Sequence, residues 1–403
     1  MRIDSIDLYY LSMPTVTLEA DGSQDALLVR VVAGDFEGWG ECEASPLTSI
    51  AAFVTPRSHG VCQPVSASVL GAELNTPEDI HRISASVRRN SMDLLQAPHV
   101  YSGIDMALWD LLGKARGVPV WSLLGYQASY RKTPYASMLF GSEPADTFSH
   151  VRAAVDKGFR AVKVGWGAFG HGEVSADADH VAAAREALGS DGILLVDAGQ
   201  VWGSDVEAAA ARLDALERAQ VRWLEEPFSG DDFGAYRQLA SRASHVRIAG
   251  GEASHSAQMA INLIDYGGVG FIQIDCGRIG GLGEAKRIAD HAQAKGVTYV
   301  NHTFTSQLAL SASLQPYAGL REHELCEYPV EPKQLARDLT VDALTMDANG
   351  TIAAPDAPGL GIQVSLDAIE RYEVPVEISA GGELLFSSSS ALAQVSLMSG
   401  LRG

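Results

Sequence analysis

Residues 193–227 read ILLVDAGQVWGSDVEAAAARLDALERAQVRWLEEP. Ile193 to Val196 is an apolar run of strand length that stops on Asp197. An Ala-rich, charge-bearing segment of helical character follows, and a second apolar run, Val221 to Leu224, stops on Glu225-Glu226-Pro227. A strand, a helix and a strand closed by another acid make one β/α unit with parallel strands. The same alternation extends in both directions. Its apolar runs are Tyr135–Leu139, Ala161–Val164, Ile193–Val196, Val221–Leu224, Val246–Ala249, Phe271–Ile274, Thr298–Val300 and Leu325–Glu327. Eight units in some two hundred residues suit a closed TIM-like barrel better than an open doubly wound sheet, which usually has fewer strands.

The flanks read differently. Ala26 to Val32 alternates with β-branched residues and leads to Gly38-Trp39-Gly40, and the Ser-, Pro- and Thr-rich stretch from Ala44 to about Pro64 reads as a long flexible loop. Thr76-Pro77-Glu78-Asp79 is a helix start, and Ser102 to Leu112 repeats its apolar residues at helical spacing. These features predict an α+β unit over residues 1–130, the barrel over 131–330, and a segment, 331–403, that returns to the first unit. Val374 to Phe386 reads as a hairpin about Gly381-Gly382 able to rejoin the N-terminal sheet, and the Ser-rich tail is expected to be poorly ordered.

Composition narrows the partners. The chain has 403 residues, 46% of them hydrophobic, and no apolar run approaches the ~20 residues that cross a bilayer. MRIDSIDLYYLSMP at the start lacks the apolar core of a signal peptide, so a cytoplasmic protein is expected. A net charge of −20 repels phosphate backbones and anionic lipid, which argues against nucleic acid and membrane as partners. Cys42, Cys62, Cys276 and Cys326 form no CxxC pair and read as buried free thiols.

In such a barrel the chemistry lies at the C-terminal ends of the strands. The runs end on Lys163, Asp197, Glu225-Glu226-Pro227, Gly251-Glu252, Asp275, His302 and Glu327, about 27 residues apart. Asp197, Glu225 and Glu252 stand on three successive strands, ~4.8 Å apart, and three carboxylates that close cannot all stay ionised without a cation. All-oxygen ligation favours Mg²⁺, with Mn²⁺ as the alternative and Zn²⁺ disfavoured; the bland alternative is that each acid caps its following helix. Asp275 and His302 end adjacent strands and make a candidate general acid/base dyad. Lys163 is placed either to meet a substrate carboxylate or to pair with Asp197.

The set Gly158-Phe-Arg-Ala-Val-Lys163-Val, Val196-Asp197-Ala, Trp223-Leu-Glu225-Glu226-Pro, Gly251-Glu252, Ile274-Asp275-Cys-Gly-Arg-Ile-Gly280-Gly281 and Val300-Asn-His302 resembles the enolase superfamily, and within it the mandelate racemase group. Ser102-Gly103-Ile104-Asp105 with Ala107-Leu108-Trp109-Asp110 is similar to the helix that closes that group's capping domain. The resemblance implies an α/β fold: a (β/α)8-type barrel with an α+β capping domain formed by the N-terminal region and the C-terminal segment. It implies Mg²⁺ on Asp197, Glu225 and Glu252, a substrate carboxylate beside it, removal of the α-proton, His302 as base or acid with Asp275 as its partner, and Glu327 as a hydrogen-bonding group at the carboxylate end. Relatives are often dimers or octamers, so a homo-oligomer is expected.

Two departures shape the expected reaction. The racemase pattern carries Lys-x-Lys on the second strand; here it reads Lys163-Val164-Gly165, which predicts a hole at Gly165 where a second base would point. Where relatives often place Asn or His two after the aspartate, this chain has Gly199, then Gln200 and Trp202. Chemistry from the His302 side is therefore favoured, with dehydration of a sugar acid to a 2-keto-3-deoxy acid as the leading expectation. An epimerase or racemase, with Lys163 as the opposite base, or a lactone cycloisomerase is the alternative, and a barrel that binds metal and ligand without turnover is a further one. Trp166, Gln200, Arg57 and His59 are candidate substrate contacts; surface placement is the commoner fate of Arg57, His59 and His171. Gly165-Trp-Gly167-Ala-Phe-Gly170 fits GxGxxG, but the following segment does not begin a helix at once, and a dinucleotide site is discounted. Gly280-Gly281-Leu-Gly283 is expected only to pack the loop after the sixth strand.

Overall fold

The computed structural model describes residues 1–16, 24–43 and 45–388. Three antiparallel strands, β1 (Ser5–Ser12), β2 (Asp25–Ala33) and β3 (Phe36–Cys42), form a small sheet in the order β1-β2-β3. The helix Ala97–Arg116 lies on it, and this contact explains the glycines flanking Trp39. A Cβ on Gly38 would fall 2.0 Å from the Ala107 carbonyl oxygen, and one on Gly40 would fall 2.1 Å from that of Gly103. Only a bare backbone lets strand and helix approach so closely. We expect Gly40→Ala to destabilise the protein by about 1–3 kcal/mol through overpacking, read as a lower thermal midpoint; an unchanged midpoint would show that the helix can withdraw freely.

Eight parallel strands follow: β4 (Thr133–Leu139), β5 (Ala161–Gly165), β6 (Ile193–Asp197), β7 (Val221–Glu225), β8 (Arg247–Gly250), β9 (Phe271–Asp275), β10 (Thr298–His302) and β11 (Leu325–Pro329). Their hydrogen-bonded order is β10-β9-β8-β7-β6-β5-β4-β11, with helices between them in sequence. All eight expected runs are strands. Between β10 and β11 a side chain does the work of a ladder: Asn301 Oδ1 accepts from Glu327 N at 2.9 Å, and its Nδ2 donates to Glu327 O at 3.4 Å. Tyr317 and Ser313 hold that amide in place, at 2.9 Å each.

The barrel interior holds one apolar residue from every strand: Tyr135, Ala161, Leu195, Trp223, Ala249, Phe271, Val300 and Leu325, all buried. Side chains two apart on a strand share a face. The layer directly above this floor therefore comprises Lys163, Asp197, Glu225, Gln273, His302 and Glu327, two residues further along their strands. The apolar floor thus sets both the depth and the orientation of the polar ring.

Two expectations are corrected outside the barrel. The stretch after Ala44 is not an unbroken loop, since Pro46–Val54 is helical and buries Ile50 and Phe53. The C-terminal hairpin, β12 (Glu377–Ala380) with β13 (Glu383–Ser387), forms its own two-stranded sheet; the chain touches β1 just before it, where Val374 N donates to Tyr10 O at 2.7 Å. The Ser-rich tail from residue 389 lies outside the described residues. The Gly280-Gly281-Leu-Gly283 turn packs as expected: Gly280 N donates to Ser102 Oγ at 2.8 Å, Gly283 N donates to Asp105 Oδ2 at 3.2 Å, and a Cβ on Gly281 would strike Asp105.

Candidate active site

At the C-terminal mouth of the barrel a hollow of about 160 Å³ is lined by Glu43, Trp166, Gln200, Glu226, Glu252, Arg278, His302 and Phe304. Glu43 comes from the end of β3, so the N-terminal sheet closes one side of a site otherwise built from strand ends.

The two side chains of the expected dyad are hydrogen-bonded. His302 Nδ1 lies 2.8 Å from Asp275 Oδ2, and Gly277 N donates to Asp275 Oδ1 at 2.6 Å. That bond fixes the ring and leaves Nε2 toward the hollow, 3.2 Å from Glu252 Oε2. Burial alone would lower the His302 pKa, but Glu252, Glu327 and Asp275 together push it well above the usual imidazole value. Asp275 moves down, its burial outweighed by the His302 bond and by Arg278. Glu252 moves well up, chiefly through burial and secondarily through Glu226 and Glu225.

Lys163 lies beneath the hollow and does not line it. Its ammonium is 2.7 Å from Glu225 Oε1, 3.0 Å from Glu327 Oε1 and 3.4 Å from Asp197 Oδ2. Burial disfavours the charge, yet these carboxylates hold its pKa well above the ordinary lysine value. Glu225 also accepts from Trp223 Nε1 at 3.0 Å, and Glu327 Oε2 accepts from Thr303 N at 2.9 Å. The ion pair to Asp197 is thus present, as one arm of a three-carboxylate cluster.

The wall facing away from His302 differs from the expected hole. A Cβ on Gly165 would lie 2.6 Å from Asp197 Cβ, so that position is filled by the neighbouring strand. Trp166 turns at φ 54° and lays its indole over Gly199, where a Cβ would come within 2.6 Å of the ring. Gly199, itself at φ 54°, makes room for it. A residue with a longer side chain at 199 would evict the indole.

Residues 146–368 match the family described as Enolase C-terminal domain-like, and residues 11–125 match the Mandelate racemase / muconate lactonizing enzyme, N-terminal domain. The chain belongs to the enolase superfamily. It falls in the mandelate racemase group and is an enzyme of lyase or isomerase type. A crystal structure of a predicted mandelate racemase from Rhodobacter sphaeroides is 64% identical and superposes with TM-score 0.93, covering 96% of this chain and 99% of that one. The D-galactarolactone cycloisomerase of Agrobacterium fabrum is 29% identical over 84% of this chain and 88% of its own. The D-galactonate dehydratase of Variovorax paradoxus is 32% identical over 66% of this chain and 72% of its own. Enolase superfamily members use Mg²⁺.

Among the described residues no three His, Cys, Asp or Glu side chains stand as a preformed metal cluster. The donor chemistry nevertheless suits a hard cation. Asp197 and Glu225 are paired in register on β6 and β7, Glu252 follows β8, and all three are buried. Apart from its 3.2 Å ion-pair contact with His302 Nε2, Glu252 Oε2 has no hydrogen-bond donor among the described residues. Lys163 and His302 supply the positive charge that these acids meet in the structure.

Of the other expected contacts, Trp166 and Gln200 line the hollow. His59 sits on the surface, 2.8 Å from Asp93, and Arg57 is also exposed; neither is among the lining residues. Glu43, Glu226, Arg278 and Phe304 line the site without having been singled out. For two of them the sequence carried a signal: Glu226 follows Glu225 directly, and Arg278 stands three after Asp275. Glu43 and Phe304 carried none, because one depends on how two units dock and the other on a loop path.

Proposed function

We propose that this enzyme removes the proton α to the carboxylate of a sugar acid and expels the β-hydroxyl, forming a 2-keto-3-deoxy acid and water. The observation that carries this reading is the asymmetry of the site: an imidazole faces the hollow on one side, while an indole, which moves no protons, covers the other. Two-base racemisation needs a proton handler on each face. Here Lys163 is held beneath the hollow by three carboxylates and Gly165 has no side chain.

His302 serves as base and then as acid. Its Nε2 takes the α-proton, the C–H electrons move into the carboxylate, and the β C–O bond breaks as the same Nε2 returns a proton to the departing hydroxyl. The enol that remains becomes the 2-keto acid, so atoms balance with no oxidant. Asp275 holds the ring through Nδ1 and balances the imidazolium. Asp197, Glu225 and Glu252 would hold Mg²⁺. When bound, that ion supplies the positive charge that a carboxylate gaining a second negative charge requires, and it takes up the Glu252 charge that otherwise retains the His302 proton. Glu327, fixed by Thr303 N and Lys163, stands at the carboxylate end of the same ring.

The test is to incubate the protein and Mg²⁺ with a panel of mono- and diacid sugars and assay for 2-keto acid. Product from at least one acid, stopped by EDTA and restored by Mg²⁺, is expected; no keto product from any acid would overturn the reading. The cycloisomerase relative, which aligns over most of this chain, favours a second reading. An isomerase would exchange the α-proton with D₂O and release no water, and mass spectrometry separates the two outcomes.

A further inference from the structure

The capping side of the hollow is built around one ion pair. Arg278 Nε and Nη2 both donate to Glu43 Oε2, at 3.0 and 2.7 Å, and its Nη1 donates to the Glu252 carbonyl at 3.0 Å. Glu43 N in turn donates to Gly277 O at 3.2 Å, so capping sheet and β9 loop are tied twice at this point. Both side chains line the hollow and are largely buried.

The charges facing a substrate can therefore be counted. Arg278 is the one Arg or Lys among the described lining residues, and Glu43 neutralises it. His302 is committed to Asp275 and Glu252 to the proposed metal site, which leaves Glu226 as the remaining charge. Glu226 accepts from Gln200 Nε2 at 2.8 Å and from Ala253 N at 3.3 Å, and a carboxylate has lone pairs left for hydroxyl donors. Trp166, Gln200 and Glu226 all have positive φ, at 54°, 61° and 39°, in the turns after three successive strands. Backbone strain of this kind gathers at functional sites.

We propose that the site selects acids with one carboxylate and a neutral polyol tail, and that the Glu43–Arg278 pair rejects a second carboxylate at the tail's far end. This rests on the sugar-acid reading above and deepens it. A diacid would bury its second charge against Glu43 and Glu226 with no unpaired cation to receive it, and an unpaired buried charge is costly. A hydroxyl in the same place donates to either carboxylate.

The experiment compares a monoacid sugar with the diacid of the same stereochemistry, using the full-length protein with Mg²⁺, by calorimetric binding and by initial rate. Wild type is expected to favour the monoacid by at least about tenfold in Kd and kcat/KM. Glu43→Gln keeps an acceptor for Arg278 and removes the opposing charge, and is expected to narrow that ratio about tenfold by improving the diacid. Equal affinity for both acids in wild type overturns the proposal and leaves the dehydratase reading standing. Selective binding of the monoacid without turnover sinks the dehydratase reading and keeps the selectivity. Binding of neither acid overturns both. Should Glu43→Gln fail to fold, the wild-type ratio alone decides.

Discussion

Replacement of His302 by Asn is expected to end α-proton exchange while leaving metal-dependent ligand binding in place. A positioned base contributes about 10²–10⁴-fold in rate. In the proposed mechanism the same nitrogen serves twice, as base for the α-proton and as acid for the leaving hydroxyl, so His302→Asn should sit at or beyond the upper end of that range. The other lining residues are poor substitutes: Trp166, Gln200 and Phe304 have no group that titrates near neutral pH, Glu43 is paired with Arg278, Glu226 is held by Gln200 and Ala253 N, Glu252 belongs to the proposed metal site, and Lys163 lies beneath the hollow. Losing the imidazole also leaves Asp275 with Gly277 N and the nearby Arg278 as its remaining partners, so some loss of stability accompanies the change. The measurement must therefore pair deuterium incorporation with a ligand-induced rise in thermal midpoint. A retained rise with no exchange supports the assignment. Exchange within about tenfold of wild type would place the base elsewhere and sink the one-sided mechanism.

The strand ends were legible because their physics is local. A run of apolar residues of strand length followed by Asp, Glu, Lys or His marks where a strand leaves the core and meets solvent, and the parity of the side chains then decides which of them point inward. Leu195 and Asp197, Trp223 and Glu225, and Val300 and His302 are each two apart, and in each pair the first packs in the floor and the second joins the ring. What could not be read depends on the backbone between strands. Gly165 suggested a hole, but the Cβ position touches Asp197 on the next strand, a contact set by barrel geometry and not by spacing. The indole of Trp166 covers Gly199 only because both residues adopt left-handed conformations, which sequence pattern does not encode for tryptophan. The pairing of Glu43 with Arg278 spans 235 residues and exists only once the capping sheet has docked. Asn301, which fastens β10 to β11, looked like an ordinary neighbour of His302.

Lys163→Met separates two roles that the same lysine could play. If Lys163 balances charge, removing it leaves Glu225, Glu327 and Asp197 facing one another beneath the hollow, all buried and without the cation that lies 2.7, 3.0 and 3.4 Å from them. Breaking a buried pair by removing one partner costs about 3–5 kcal/mol, because the abandoned charge keeps its desolvation penalty. Urea unfolding of the metal-free protein should therefore show a fall of that size. The double variant Lys163→Met/Glu327→Gln removes one of the stranded charges along with the lysine and should recover part of the loss, a coupling that a double-mutant cycle reads directly. If Lys163 were instead a base serving the second face of the substrate, its loss would cost exchange on that face and little stability, since a base facing substrate would not carry three acids. A fall below about 1 kcal/mol would contradict the charge-balancing role and return the epimerase reading to the front. A fall of several kcal/mol with partial recovery in the double variant would fix Lys163 as the counter-ion that lets three carboxylates share one barrel mouth, and leave His302 as the group that moves the proton.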